Sequence, residues 1–301
     1  MGIKSLVKQA FVAAGYAVHR HGGLSRDTLF PPGHFYSPIV DLSELERDRA
    51  RVFDRIRDVP DIDFDEAGQL ELVEEFRKFY QDLPFEQSQG DINLFYYENP
   101  YYSYGDAIIL ACMLRHAKPK RLIEFGSGFS SCVSLDINRL FLGGKVECTF
   151  IDPNPERLES LISSYDYPVN IIKSRAQDID LTEISLLTEN DIVFIDSTHV
   201  TKAGSDVNFH LFEVLPRLAP GVLIHFHDVF YPFEYPESWF FEENRSWNEN
   251  YILRAFLMGN VSYQIVFFND FMRLRHFQIV ADAMPLFQRN PGGSLWIRKV
   301  R

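Results

Sequence analysis

Residues 121–128, Arg-Leu-Ile-Glu-Phe-Gly-Ser-Gly, decide the fold of this chain. A short apolar run contains the acid Glu124, and two glycines, Gly126 and Gly128, follow at once. This pattern is typical of the first strand of a parallel sheet and of the cofactor-binding turn at its carboxyl end. A dinucleotide fingerprint would place a third glycine at position 131, where this chain has Ser131. The negative charge of Glu124 also opposes a pyrophosphate and favours a cofactor with a positive charge.

Strand and helix signals alternate from residue 95 onward, which indicates βαβ units and a parallel sheet. The predicted strands are 121–125, 146–151, 169–173, 191–196, 221–227, 263–268 and 294–299. The predicted helices are 105–117, 129–141, 154–164, 180–188, 203–218 and 247–258. We therefore expect an α/β fold with a Rossmann-like, seven-stranded, mostly parallel sheet and helices on both faces. The last two strands should form an antiparallel hairpin at the edge, joined by a loop.

The chain divides by pattern into two predicted domains. Residues 1–94 are a helical and irregular extension with helices at 43–58 and 66–82, and residues 95–301 form the catalytic domain. Residues 1–21 are mildly basic and amphipathic; we interpret them as a helix packed on the body, with contact to a membrane surface as the alternative. No apolar run approaches the length that spans a bilayer, and no secretory signal is evident.

Composition limits the possible partners. The 301 residues carry a formal net charge of −12, which argues against a general nucleic-acid binder because phosphate binding needs a basic face. The three cysteines form no CxxC pair and indicate a reducing compartment, so we expect a cytoplasmic protein.

Polar side chains follow five consecutive predicted strands, where an open α/β sheet binds its ligands. Asp152 comes after the second strand and could cap the next helix or hold two ribose hydroxyls. Gln177 and Asp178 come after the third strand, where Asp178 could cap a turn or hold an adenine amino group. Asp196 directly follows a buried apolar strand, a position where a charge is rarely structural unless it is paired.

A second cluster combines Asp196 and His199 with the run His225-Phe-His-Asp228. In a strand, His225 and His227 face the same side. Asp196, His227 and Asp228 could bind a divalent cation, with Mg or Mn suited to the carboxylates and Fe, Ni or Zn permitted by imidazole. The alternative is that the histidines bond within the sheet or act as acid and base. The aromatic segment 230–251 is placed to form a lid over these strand ends, or else packs on the N-terminal helices.

Residues 95–301 resemble the class I S-adenosylmethionine-dependent methyltransferases, most closely a bacterial branch that modifies polysaccharides and natural products. The resemblance rests on an ordered set of motifs: 124–131 (EFGSGFSS), 151–153 (IDP), 194–199 (FIDSTH), 215–221 (LPRLAPG) and 225–230 (HFHDVF).

The resemblance implies S-adenosylmethionine as cofactor. It implies that the methionyl end is held by Glu124 and the turn Gly126-Ser127-Gly128, the ribose by Asp152, and the adenine by Gln177 or Asp178. Asp196 is also expected to bind the cofactor. It also implies a metal at Asp196, His227 and Asp228, although His227 stands where metal-dependent relatives have an acid. Without a metal, His199 or His227 would act as the general base.

The expected reaction is O-methylation of a hydroxyl on a sugar, a polysaccharide precursor or a natural product. Alternative functions are a non-catalytic scaffold, a methyltransferase for a nitrogen or protein acceptor, and a nicotinamide or nucleotide-sugar enzyme. The expected partner is a small molecule or glycan, and a homo-oligomer is also compatible with the sequence.

Overall fold

The computed structural model describes residues 29–163 and 165–301, which fall into two units, 1–47 and 48–301. The predicted helix 1–21 lies outside the described residues. In the described part of the first unit, Asp41 begins helix Leu42–Arg47 by accepting from the Ser43 amide at 2.8 Å. The predicted domain boundary at residue 94 stays a prediction.

The second unit contains the predicted sheet. Its seven strands lie in the order β3-β2-β1-β4-β5-β7-β6. The strands are β1 Arg121–Phe125, β2 Glu147–Ile151, β3 Asn170–Ile172, β4 Ile192–Ile195, β5 Leu223–His227, β6 Tyr263–Phe268 and β7 Ser294–Lys299. The first five are parallel, and β7 runs antiparallel to both β5 and β6. The predicted fold, including its antiparallel edge pair, is confirmed.

Helices surround the sheet. They are Arg49–Val52, Glu66–Tyr80, Tyr104–Ala117, Phe129–Phe141, Glu156–Leu161, Leu181–Ser185, Asp206–Phe209, Leu215–Arg217, Glu237–Phe241, Glu249–Leu257, Asn269–Arg275 and Phe277–Ala283. A π-helical turn, His210–Val214, interrupts the predicted helix 203–218. The predicted loop between the last two strands is wrong, because two helices and a 3₁₀ turn, Pro285–Arg289, occupy it.

Helix 66–80 packs into the same unit as the sheet. Val73 and Phe76 are fully buried on its inner side. Gln69, also fully buried, accepts from the backbone amide of Phe268 in β6 at 2.8 Å. No helix among the described residues is long and apolar enough to cross a membrane.

The parallel register aligns the strand ends that carry the candidate site. Phe125 pairs with Ile195, and Ile195 pairs with Phe226. The residues that follow β1 and β4 and that end β5 therefore lie side by side at the carboxyl edge of the sheet. The Asp196 amide donates to the Phe125 carbonyl at 2.9 Å and extends the pairing one step beyond β4.

Candidate active site

The turn after β1 fits closely between its two neighbouring strands. The Gly126 amide donates to the Ile151 carbonyl of β2 at 3.0 Å. Gly126 has φ +82°, and a Cβ on this residue would lie 1.8 Å from the carbonyl oxygen of Asp196. Glycine is required here both by the left-handed backbone and by the absence of space for a methyl group.

A cavity of about 560 Å³ opens where this turn meets the ends of β2 and β4. It is lined by Phe125, Gly126, Ser127, Ile151, Asp152, Pro153, Arg157, Arg175, Ala176, Gln177, Asp196, Ser197, Thr198, Lys202, Gly204, Ser205 and Asp206. We call it the first cavity. Five residues predicted to bind the cofactor line it, and Glu124, Gly128 and Asp178 do not.

Asp152 ties the glycine turn to β2. Its Oδ2 accepts from the Ser127 amide at 3.0 Å and from the Ser127 hydroxyl at 2.8 Å. Its Oδ1 accepts from the Asn154 amide at 2.7 Å, so the carboxylate also caps the following turn. The capping and ligand-holding roles considered for Asp152 are therefore compatible, because the half-buried carboxylate still lines the cavity.

Glu124 lies beneath the turn instead of in the cavity. Its fully buried carboxylate accepts from the hydroxyls of Ser130 and Ser131 in helix 129–141. The other oxygen, Oε2, is buried without a hydrogen-bond partner. Burial raises the pKa of Glu124 to about 8, against the opposing effect of the two serine hydroxyls. In the described structure this acid positions the start of the helix behind the turn.

The two residues predicted to hold an adenine differ in position. Gln177 lines the first cavity and donates from Nε2 to the Gly204 carbonyl at 2.9 Å. Asp178 forms two hydrogen bonds with Arg175, at 2.7 and 2.8 Å, on an exposed surface. Asp206, which sequence reasoning missed, also lines the cavity and accepts from the Thr198 hydroxyl and amide. Its only sequence signal is its place after Ser205 at a helix start.

His199 connects the strand ends to the aromatic segment. Its Nε2 lies 3.3 Å from Asp196 Oδ1 and 3.7 Å from Asp228 Oδ2. Its Nδ1 lies 2.8 Å from Glu249 Oε2. Burial opposes a charged imidazole, yet the hydrogen bonds to Asp196 and Glu249 outweigh it and raise the pKa of His199 well above its ordinary value. Both ring nitrogens of His199 therefore face carboxylates, which leaves neither of them open to accept a proton from a ligand.

Glu249 is the main component that sequence reasoning missed. It is 2% exposed, and its amide and that of Asn248 donate to the His199 carbonyl at 3.2 and 3.1 Å. The ring of Trp247 lies 4.4 Å from the His199 ring. The aromatic composition of 230–251 drew attention to this segment, but nothing in it singled out the acid.

His227 and Asp228 line a second cavity of about 500 Å³. The full lining is Arg55, Tyr101, Ser103, Asp106, His227, Asp228, Phe230, Pro236, Trp239, Asp270, Arg273, Asn290, Pro291, Gly292 and Gly293. His227 Nε2 lies 3.5 Å from Asp228 Oδ1, and its Nδ1 is buried without a partner. Burial disfavours the imidazolium, but Asp228, Asp196 and Asp106 outweigh burial and raise the pKa of His227.

The second cavity contains a further buried acid, Asp106. Its Oδ1 accepts from the Ser294 hydroxyl at 2.5 Å and from Asn269 Nδ2 at 3.2 Å. Burial raises the pKa of Asp106 to about 6, although the positive charge of His227 opposes this. Asp106 thus contributes to the negative surroundings that favour a protonated His227.

The described residues do not fit the predicted metal site. Between residue 29 and the C-terminus, Ser164 apart, no three His, Cys, Asp or Glu side chains are grouped to hold a metal ion. The reason is visible at Asp196 and Asp228, whose negative charges already face the His199 imidazolium. His225 is fully buried in the sheet, with its ring 4.0 Å from that of Phe194. A metal at Asp196, His227 and Asp228 is therefore not supported.

The comparisons with known proteins agree with this geometry. A methyltransferase domain matches residues 123–229, which begin in β1 and end beyond Asp228. An uncharacterised protein of Archaeoglobus fulgidus is 32% identical over 192 residues, which cover 62% of this chain and 84% of the relative. That relative is archaeal, so the bacterial origin implied by the resemblance is not confirmed.

Two solved structures resemble the chain more distantly. An S-adenosylhomocysteine-bound methyltransferase of Podospora anserina is 17% identical, with a TM-score of 0.44 over 91% of this chain and 100% of that one. The O-methyltransferase of tomaymycin synthesis from Streptomyces achromogenes, in complex with S-adenosylmethionine, is 14% identical, with a TM-score of 0.45 over 86% and 96%.

The chain carries a methyltransferase domain, which is consistent with the class I S-adenosylmethionine-dependent methyltransferases. The match identifies the chain as a methyltransferase, an enzyme that transfers a methyl group.

Proposed function

We propose that this enzyme methylates a hydroxyl group of a small sugar-like or natural-product acceptor, without a metal. The observation that carries the proposal is the proximity of two cavities whose sizes suit small ligands. Asp196 lines the first cavity and Asp228 lines the second, and His199 Nε2 lies within 3.7 Å of an oxygen of each. The first cavity would hold the cofactor and the second the acceptor.

The donor set of the first cavity fits the cofactor. Asp152 would accept from the ribose hydroxyls, and the backbone of Gly126 and Ser127 would border the methionyl group. Gln177 would border the adenine, and Asp196 would face the positively charged end of the methionyl group. Glu124 would act indirectly, through the two serines at the start of helix 129–141.

The negative charge beside the first cavity also suits a positively charged cofactor. Three carboxylates, Asp196, Asp228 and Glu249, face the single imidazolium of His199, so negative charge is in excess. Burial disfavours ionised Asp196, but His227 and His199 outweigh it and lower the pKa of this carboxyl to about 2. Asp196 therefore remains charged beside the first cavity throughout the physiological range.

When bound, S-adenosylmethionine supplies an electrophilic methyl group on a sulfonium that is already a good leaving group. The protein has to align the acceptor and to accept its proton. We assign proton acceptance to the neutral form of His227, because this side chain lines the second cavity and is oriented by Asp228 at 3.5 Å. His199 is assigned a positioning role, because both its ring nitrogens face carboxylates.

The walls of the second cavity favour a compound with both hydroxyl groups and apolar faces. Tyr101, Phe230 and Trp239 contribute aromatic surface to it. The planes of the Phe230 and Trp239 rings are perpendicular, at 89°, and their centroids lie 5.2 Å apart, so the edge of one ring meets the face of the other. Aromatic faces stack on the C–H surfaces of sugars, whereas Ser103, His227 and Asp228 offer hydrogen bonds to hydroxyls.

Calorimetry with S-adenosylhomocysteine tests the cofactor assignment. Asp152→Ala should weaken binding by at least about tenfold, because it removes the ribose acceptor and both bonds to Ser127. Asp180→Ala is the matched control: Asp180 also accepts from the amide two residues on, Thr182 at 2.9 Å, but does not line the cavity. Equal affinities of the two variants would contradict the assignment.

The acceptor class is tested with isotopically labelled S-adenosylmethionine and a panel of sugars, sugar nucleotides, phenols and amines. NMR of the isolated product identifies the atom that carries the new methyl group. A methyl group on oxygen is the expected result. Transfer to nitrogen, or cofactor binding without transfer to any hydroxyl compound, would refute the proposal.

A further inference from the structure

One wall of the second cavity has an unusual charge arrangement. Arg55, Asp270 and Arg273 all line it. Asp270 is 2% exposed, and each of its oxygens is engaged by a different guanidinium. Arg55 contacts Oδ2, and Arg273 donates to Oδ1 from Nε at 3.0 Å and from Nη2 at 2.9 Å. Two cations therefore share one carboxylate.

The neighbouring acid Glu234 does not cancel the excess of guanidinium groups over carboxylates. Glu234 accepts from the Tyr251 hydroxyl at 2.6 Å and from the Tyr235 amide at 3.1 Å. Its other oxygen lies 4.0 Å from a third guanidinium, that of Arg57. Glu234 and Arg57 do not line the cavity, so two arginines face one carboxylate on this wall, in a protein whose formal net charge is −12. This wall carries a local positive charge in an acidic chain, and the acids Asp106 and Asp228 also line the same cavity.

The guanidinium groups on this wall also have N–H donors that no protein group accepts. A guanidinium has five N–H donors in a planar fork. Arg55 Nε is buried and has no hydrogen-bond partner, although a buried unsatisfied donor is costly. The side chains of Arg55 and Arg273 are 28% and 33% exposed, so both reach the cavity. The Nε atom of Arg55 is enclosed, so a ligand would meet the exposed ends of the two guanidiniums, whose planar donor sets match a carboxylate or a phosphate.

We infer that Arg55 and Arg273 bind an oxyanion, a carboxylate or phosphate group carried by the acceptor. This inference rests on the proposed function, because it makes the methyl acceptor an anionic hydroxyl compound, such as a uronic acid or a sugar phosphate. The anionic group is bound at the arginine wall, and the hydroxyl lies toward His227 and Asp228 in the same cavity. The arginines thereby select acceptors by charge.

The opposing explanation is structural: the arginines only fasten residue 55 to helix 269–275 through Asp270. The two explanations predict opposite effects of Asp270→Asn. If Asp270 competes with a ligand oxyanion, its neutralisation frees both guanidiniums and tightens anion binding. The amide oxygen of asparagine can still accept from the Tyr231 amide, which Asp270 does at 3.0 Å, so the fold should tolerate the change.

Anion binding is measured by calorimetry with inorganic phosphate, acetate, glucose 1-phosphate, glucuronate and uncharged glucose. Saturating S-adenosylhomocysteine is present throughout, so that anions do not enter the first cavity, which has its own cations. We expect glucose 1-phosphate or glucuronate to bind at least about tenfold more tightly than glucose. Preference for one of the two tells a phosphate from a carboxylate.

Variants complete the test. Arg273→Gln should weaken anion binding by about tenfold, and Asp270→Asn should strengthen it severalfold. Arg121→Gln is the control, because Arg121 is an exposed arginine paired with Glu147 at the other end of β1. The inference is overturned if wild type prefers no anion over glucose, if Asp270→Asn fails to strengthen binding, or if Arg121→Gln weakens it equally. Binding of S-adenosylhomocysteine without any anion preference would refute this inference alone, whereas failure to bind it would refute the cofactor assignment.

Discussion

Replacing Gly126 with alanine tests whether the turn after β1 is held by contact with the Asp196 backbone. The added Cβ would lie 1.8 Å from the Asp196 carbonyl oxygen. The two atoms must separate by roughly 1.6 Å to reach ordinary contact, which begins at 3.4 Å. The obstacle is backbone of the neighbouring strand end, so no side-chain rotation can relieve it.

The cost has two parts. Alanine in a left-handed conformation costs about 1 to 2 kcal/mol relative to glycine. Moving the turn also breaks at least one of the buried bonds that fix it, from Gly126 to Ile151 or from Asp196 to Phe125, at about 1 to 3 kcal/mol. The free energy of unfolding should fall by about 2 to 5 kcal/mol, a large share of the 5 to 15 kcal/mol typical of proteins.

Two other glycines provide matched controls. Gly204 lines the same cavity with φ +73°, and Gly259 has φ +63° elsewhere, but a Cβ on either would meet nothing within 4 Å. Gly204→Ala and Gly259→Ala should each cost only the backbone part, about 1 to 2 kcal/mol. Urea unfolding gives the three stabilities.

Calorimetry with S-adenosylhomocysteine then separates stability from binding. Gly126→Ala should bind at least about tenfold more weakly than wild type, because the displaced turn carries Ser127 and its bonds to Asp152 with it. Gly259→Ala should bind normally. The reasoning is refuted if Gly126→Ala is no less stable than the two controls, or if it keeps wild-type affinity.

Three further predictions concern the charged cluster. His227→Gln should lower kcat by a factor of about 10² to 10⁴. In wild type, kcat/KM should rise above pH 6.5 as the raised pKa of His227 is passed, and the variant should lose this pH dependence. An unchanged pH profile would exclude His227 as the base. Glu249→Gln should destabilise the protein by about 1.5 to 3 kcal/mol at neutral pH. The pKa of His199 is raised in the folded protein, so the stability that its charge contributes is complete below about pH 6.5 and is lost as the pH rises through the raised value. The difference in stability between Glu249→Gln and wild type should therefore shrink at alkaline pH. A difference that does not depend on pH would contradict the charge pairing. Activity should survive dialysis against EDTA without loss, and recovery only on addition of a divalent metal would refute the metal-free mechanism.

The sheet and the turn could be predicted because their signals are local. Short apolar runs between turn signals mark the strands, and β1, β6 and β7 match the predicted bounds. The parallel topology then requires that residues after successive strands meet at one edge. Asp152 and Asp196 could be placed there without knowledge of any contact.

The remainder depends on contacts that the sequence does not encode locally. Glu249 lies 50 residues from His199, and only the folding of the aromatic segment brings them to 2.8 Å. Glu124 was expected in the cavity, but a sequence pattern does not tell which side of β1 its carboxylate faces. The helix Asn269–Arg275 was missed because it is short and no side chain caps its start. The metal prediction lacked the information that His199 lies between the two carboxylates.

The row of alternating charges through His199 limits which amino-acid substitutions relatives of this protein can tolerate. His199 is the cation that Glu249, Asp196 and Asp228 share inside the protein, so a neutral residue at position 199 leaves buried carboxylates without their partner. Tolerated substitutions must therefore come in sets. In an alignment of relatives, positions 199 and 249 should covary, and a lineage that loses the acid at 249 should also have replaced the histidine.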